Sequence, residues 1–345
     1  MKQRPLAVLL SGLIAAALFA AGVKTYWAGK DSLAAGALRK ALQANYLQPR
    51  QGIARTMVST PRGWIVSLAK VRYSSPGNWQ IEYLNPRLAK AKIGHQGGYL
   101  WKGTEEALPS EPRPGLARVV SIQTAPTPVA QVEPALANYQ VRYLGSDRVA
   151  GRPVKIVGLA DKASGRLLRV FWIDERSGIM LRWDRLREDG RLISTTQFLN
   201  ISLIPRPGGE PSIASGAGAN EPRVVGVKMG LEELSRKVGF QVLQPGRVPQ
   251  GFRLEESYFF PCPCGCGGTS AHLRFSDGVR GFSVFEVNEK SGKCPLTHNI
   301  SANIGQPLAG PSPALRGATA RRKGLLIVVI GDLEAEALKE IAGSF

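Results

Sequence analysis

The chain has 345 residues, enough for two domains of ordinary size. Hydrophobic residues at 43% and charged residues at 21% exclude a wholly disordered chain, which lacks the apolar material for a core. The 45 Lys and Arg against 26 Asp and Glu leave a net charge of +19, a field that favours anionic partners. Short basic clusters occur at Arg182–Arg187 and Arg321–Lys323, and the rest are scattered. No helix-turn-helix, zinc-finger or RNP-type pattern accompanies them, so no nucleic-acid partner is expected.

Lys2 and Arg4 precede an apolar run from Pro5 to Val23, which Lys24, Tyr26 and Trp27 follow. A positive end and then an apolar stretch of 19 residues fits a signal peptide at its upper limit and a membrane span near its minimum. Residues 1–27 therefore read as a signal peptide, with Ala20-Ala21-Gly22 offering a small-x-small cleavage pattern, or as a retained anchor. Both readings put residues 28–345 outside the cytoplasm, in the periplasm or cell envelope.

Leu33, Ala37, Leu38, Ala41 and Leu42 recur at helical spacing and predict a helix over 32–45, with Asp31 or Ser32 available as a cap. Strand patterns follow at Ile53–Val58, Trp64–Tyr73, Trp79–Leu84 and Tyr99–Trp101, separated by Pro/Gly turn signals. Residues 104–135 are Pro-rich and polar. Strands resume at Tyr139–Tyr143, Val154–Leu159, Leu167–Asp174, Met180–Leu186 and Leu192–Leu203. Short, evenly spaced strands of this kind predict an antiparallel meander, not βαβ units. Residues 205–223 have the Pro/Gly/Ser/Ala composition of a flexible linker. They divide a first domain, 28–204, from a second, 224–345. The second is expected to hold helices at Leu231–Val238 and Glu334–Ile341 and strands at Leu254–Phe260, His272–Ser276, Phe282–Glu286 and Leu325–Ile330.

A series of short motifs resembles one known family. In the first domain Ala150-Gly151-Arg152, Asp174 to Ile179, Leu181-Arg182, Glu188-Asp189-Gly190 and Phe198 follow in order. In the second come Pro249-Gln250-Gly251-Phe252, Phe275-Ser276-Asp277-Gly278-Val279, Ser283-Val284-Phe285, Arg316-Gly317-Ala318 and Val328 to Leu333. The order and spacing resemble the MucB/RseB family of sigma-factor regulators. Tyr73 to Gly77 and Trp79 to Glu82 look like the related lipoprotein-carrier (LolA-type) fold. The resemblance implies an α+β protein: an open antiparallel half-barrel wrapped on a helix, then a smaller α+β domain. It implies binding to an anti-sigma factor's extracytoplasmic region and sensing of lipid or lipopolysaccharide. The alternative it leaves is a periplasmic lipid or lipoprotein carrier.

An unclosed, curved sheet presents a concave apolar face. Trp64, Trp79, Tyr83, Tyr99 and Trp101 are the candidates to line it, ordinary sheet core being the other reading. Ser276-Asp277-Gly278 predicts a tight turn, with Asp supplying a side-chain hydrogen bond and Gly a positive φ.

The four cysteines, Cys262, Cys264, Cys266 and Cys294, depart from the family pattern. Outside the cytoplasm an even count favours disulfides. Residues two apart in an extended chain are roughly 7 Å between α-carbons, at the limit of a disulfide span. Cys262 with Cys266 and Cys264 with Cys294 is the less strained pairing. The rival reading is a zinc site formed by the four thiolates, with His272 or His298 as a substitute ligand. Otherwise no cofactor is expected. The histidines are His95, His272 and His298, and G-x-S-x-G, H-E-x-x-H and P-loop patterns are absent, so the chain is not expected to be an enzyme.

Overall fold

The structure, a computed structural model, describes residues 31–45, 47–60, 63–75, 78–84, 91–96, 99–104, 136–187, 189–203, 223–261, 268–288, 308–309, 316–331 and 333–345. The N-terminal apolar run, residues 105–135, most of the linker and all four cysteines lie outside them. No described helix is long and apolar enough to cross a membrane.

Helix α1 spans residues 31–45. Ala34, Leu38, Ala41 and Leu42 are buried along one stripe, the i, i+4, i+7, i+8 pattern of an amphipathic helix. Asp31 serves a different purpose from the cap expected of it: its Oδ1 accepts the backbone N–H of Tyr143 at 3.0 Å, tying the start of the helix to a strand.

The N-terminal part then contributes ten strands: β1 (Arg50–Thr60), β2 (Gly63–Ser75), β3 (Asn78–Tyr83), β4 (Ala91–Gln96), β5 (Tyr99–Thr104), β6 (Tyr139–Val149), β7 (Arg152–Asp161), β8 (Leu167–Asp174), β9 (Met180–Leu186) and β10 (Leu192–Leu203). Every pairing is antiparallel, and the spatial order is β6-β7-β8-β9-β10-β1-β2-β3-β4-β5. The first hairpins return to the last strand through β1–β10, so β5 and β6, consecutive in sequence, stand at opposite edges. The buried stripe of α1 packs on Tyr139, Val157, Leu159, Phe171, Ile173 and Met180 of β6 to β9. Farther along the sheet a separate cluster gathers Ala54, Ala69, Val71, Tyr73, Ile81 and Phe198. This is the open half-barrel around a helix that the sequence resemblance implied.

The remaining strands are β11 (Arg223–Lys228), β12 (Arg253–Pro261), β13 (Thr269–Ser276), β14 (Gly281–Asn288), β15 (Leu308–Ala309), β16 (Arg316–Arg322) and β17 (Leu325–Gly331). They pair in the order β11-β12-β13-β14-β17-β16-β15. Helices α2 (Leu231–Val238) and α3 (Ala335–Gly343) cover one face, packing Leu234, Val238, Leu338 and Ile341 on Leu273, Phe275, Phe282, Val284, Ile327 and Val329. β17 is buried along its whole length, so its opposite face is also shut off from solvent.

β11 pairs with both β5 and β12, so all seventeen described strands form one continuous sheet across the expected domain boundary. β4, β11, β15 and β16 were not expected from the sequence, and β6 runs to Val149 where a stop at Tyr143 was expected. A bulge between Tyr143 and Gly145 absorbs the extra residue and lets pairing with β7 continue.

Candidate partner-binding site at the seam

The C-terminal part reaches both edges of the half-barrel. At one edge β5 and β11 pair, with Trp101 opposite Val224 and Leu100 opposite Gly226. At the other, Tyr139 opens β6 and meets the turn between β13 and β14. Its hydroxyl donates to Asp277 Oδ2 at 2.5 Å and accepts from Arg280 Nε at 2.7 Å. The Arg280 guanidinium lies 5.5 Å from the Tyr139 ring centre and 5.7 Å from that of Phe252. Val279 packs among the core residues around Tyr139.

The turn itself explains why Asp277 is available for this contact. Its Oδ1 accepts the N–H groups of Val279 at 2.9 Å and Arg280 at 2.7 Å, while Ser276 Oγ accepts that of Gly278 at 2.9 Å. Gly278 sits at φ +92, in the region that favours glycine. One carboxylate oxygen thus closes the turn and the other crosses to the N-terminal part. Burial, and then the Asp277 charge, raise the Tyr139 pKa, so the phenol remains a donor. Close by, Gly251 (φ +84) leaves room for Asn138, into which a Cβ would run.

A second tie joins the first two motifs of the N-terminal series. Arg152 Nε and Nη2 donate to the two oxygens of Asp174 at 3.2 and 2.9 Å, and the N–H and Oγ of Ser177 donate to Oδ2. Burial alone would raise the Asp174 pKa, but the bonds from Arg152 and Ser177 outweigh it and hold the carboxyl below its usual range.

Of the five candidate cavity aromatics, Trp79 and Tyr83 share a face and Trp64 does not. Trp79 and Tyr83 lie on the face of β3 that carries Ile81, and pack with Trp183 against the buried cluster around Phe198. Trp64 is on the outer face of β2, one position out of phase with Ala69, Val71 and Tyr73, and is 46% exposed. In the β4–β5 register Tyr99 and Trp101 fall opposite Gln96 and Gly94, whereas the β4 partners of Ile81 and Trp79 are Ile93 and His95. The side chains of Tyr99 and Trp101 lie outside the description. Trp183 and Phe198, which were not among the candidates, meet edge to face at 6.4 Å.

The basic run on β9 is partly neutralised. Arg182 forms a bidentate pair with Asp184 (3.0 and 2.7 Å) and stacks 4.1 Å over Trp172. In the motif Ser283-Val284-Phe285, Val284 is core and Phe285 stacks on His272, ring centres 4.3 Å apart and 7° from parallel. His272 is buried beside Tyr258 and Phe260, and neither ring nitrogen has a hydrogen-bond partner. Burial, with a smaller contribution from Arg274, pushes its pKa down to about 3. Glu286, one residue on, is fully buried, on the face of β14 that carries Phe282 and Val284. Burial pushes its pKa up to about 7, although Oε2 accepts the Leu243 N–H at 3.0 Å. Tyr139, Arg280, Trp183 and Glu286 carried no local signal, since each acquires its role from residues far away in sequence. Among the described residues no three His, Cys, Asp or Glu side chains gather as a metal site.

Residues 117–214 match the family model for the MucB/RseB N-terminal domain. The sigma factor AlgU regulatory protein MucB of Pseudomonas aeruginosa is 29% identical over 160 residues, 46% of this chain and 48% of its own length. The match thus spans about half of that relative. Two solved structures share the fold over nearly the whole chain. The crystal structure of MucB has a TM-score of 0.63 at 18% identity, covering 91% of this chain and 97% of its own. MucB in complex with MucA(peri) has 0.56 at 16%, covering 90% and 97%. In its ordered motifs, in residues 117–214 and in the fold of both its parts, this chain is similar to the MucB/RseB family.

Proposed function

We propose that this chain is an extracytoplasmic regulator of sigma-factor signalling that binds the extracytoplasmic segment of an anti-sigma factor. The observation that carries the reading is the fold similarity of both parts of the chain to MucB, a protein also solved with MucA(peri) bound. A lipid carrier of the LolA type needs only the half-barrel, so the second part favours the regulator. The polar groups at the seam are structural: Asp277, Ser276 and Arg280 are engaged in internal bonds, and His272 has no acid, base or nucleophile bonded to it. A binding role without catalysis is the consistent reading. The charge of +19 suits an acidic segment and speeds encounter with it.

The test is calorimetric titration of the folded chain with the extracytoplasmic segment of an anti-sigma factor encoded beside it, at low and high salt. Saturable binding that weakens with salt is expected. No binding at either ionic strength would refute the regulator reading, and salt-insensitive binding would remove the charge argument.

Lipid sensing is a second reading, favoured by Trp79, Tyr83, Trp183 and Phe198 sharing one face. It predicts displacement of a fluorescent fatty acid, and a lipid-free extract with no displacement would exclude it. The N-terminal segment is read as export signal or anchor, and the cysteines as disulfides, with zinc as the rival. Intact mass before and after alkylation separates the last two.

A further inference from the structure

We propose that the outer face of the β1–β2–β3 sheet docks on an anionic membrane surface. Directly opposed residues of an antiparallel pair share a face. On the outer face the rungs run Ser59–Trp64, Met57–Val66, Arg55–Leu68, Ile53–Lys70 and Gln51–Arg72. Leu84 joins this face beside Leu68, to whose carbonyl its N–H donates at 2.8 Å. The inner face of the same strands buries Ala54, Ala69, Val71 and Tyr73, so the hairpin's core is on the other side.

Trp64, Val66 and Leu84 are 46, 44 and 43% exposed. Ile65, on the inner face but at the hairpin end, is 57% exposed, so that end stands clear of the body on both faces. Exposed neighbours of this kind mark an interaction site where a lone exposed Leu would not.

The order of residue types along the face selects the occupant. Apolar side chains occupy the hairpin end. The exposed cations Arg55 and Lys70 come next, then Arg72, with Glu82 opposite Lys70 as the one acid among these rungs. From Trp64 to Leu68, at about 3.4 Å per residue, is ~14 Å. Long basic side chains flexing toward the tip shorten that to the ~5–10 Å over which interfacial apolar groups enter a bilayer. Tryptophan favours that interface, and cations set behind it meet the phosphates. A face backed by its own core offers no cleft for a small molecule.

The test uses the full chain with vesicles whose phosphatidylglycerol or phosphatidylcholine carries brominated acyl chains. Emission of Trp64 is isolated as the difference between the unmodified chain and Trp64→Phe. With phosphatidylglycerol the Trp64 component is quenched, and Arg55→Gln with Lys70→Gln lowers partitioning roughly 25-fold, about fivefold for each cation removed. The proposal is overturned if the chain binds these vesicles through another segment while Trp64 stays unquenched. Equal quenching by phosphatidylcholine also overturns it. So does a blue shift of the Trp64 component with protein concentration in lipid-free buffer, which would assign the face to a second copy.

Discussion

Acidification from about pH 7 to about pH 5 acts on the C-terminal sheet through two buried groups of opposite sign, and substituting either exposes the other. His272 has an ordinary pKa of 6.5 and a folded value of about 3. Between those values the unfolded chain holds the proton and the folded chain does not, so stability is lost as pH falls through 6.5. Glu286 has an ordinary value of 4.5 and a folded value of about 7. There the folded chain binds the proton first, so stability rises as pH falls through 7 toward 4.5. At about 1.4 kcal/mol per pKa unit, each effect integrates to about 2 kcal/mol over the interval. In the unmodified chain they nearly cancel. His272→Phe is expected to gain about 2 kcal/mol on acidification, and Glu286→Gln to lose about 2 kcal/mol. All six tryptophans lie at or before position 183, so indole fluorescence reports only the N-terminal part. The assay is amide exchange of β13, β14 and β17 in a urea series at each pH. Only the change with pH is read, because a phenyl ring at position 272 alters packing as well as charge. Parallel pH profiles for the two variants would refute the reasoning.

Tyr139→Phe removes a buried donor from Asp277 and an acceptor from Arg280, and should cost about 1.5–3 kcal/mol. Its unfolding should also split, indole fluorescence and far-UV circular dichroism giving different urea midpoints; coincident transitions would mean that the seam holds without this bond. Asp174→Asn removes the charge and one of the two acceptor oxygens that Arg152 and Ser177 share, and should cost roughly 2–3 kcal/mol at neutral pH, by urea unfolding. Because the folded Asp174 pKa is lowered, its contribution is present above the ordinary value of 3.8 and lost as pH falls through the lower folded value. The variant should therefore lose less stability than the unmodified chain across that acidic range. Gly251→Ala combines φ +84 with a clash against Asn138 and should destabilise by more than about 1 kcal/mol, by thermal unfolding. Leu38→Ala opens a cavity where α1 meets the sheet and should cost about 3–5 kcal/mol in the same assay.

Local pattern carried far in this chain where each element's own residues decide its state. β8, β9, β10 and α2 have the bounds that their β-branched, aromatic or amphipathic residues predict. The missed strands are those whose own residues do not favour extension. β4 reads AKIGHQ and β16 reads RGATARR, with Gly, Ala and Lys or Arg among few β-formers. β4 is a strand because β3 and β5 flank it, and β16 because β17 supplies seven paired rungs. Trp64 illustrates the same limit for a single residue. Its type fits a cavity wall, but a one-residue change of phase moves a side chain to the other face, and only cross-strand register sets phase.

Composition and periodicity alone determined an antiparallel α+β chain, a helix with one apolar stripe, and the turn chemistry of Ser276-Asp277-Gly278. Those properties depend on neighbours within a few positions, where propensity and side-chain period act. Tertiary structure alone decided that β5 and β6 lie at opposite edges and that both edges meet the C-terminal part. It also decided that Asp277 pairs with a tyrosine 138 positions earlier, and that His272 and Glu286 are buried where water cannot solvate their charges. The physical reason is that pKa values, register and seam contacts are set by what is brought near through space, and strands return in an order the chain does not spell out locally.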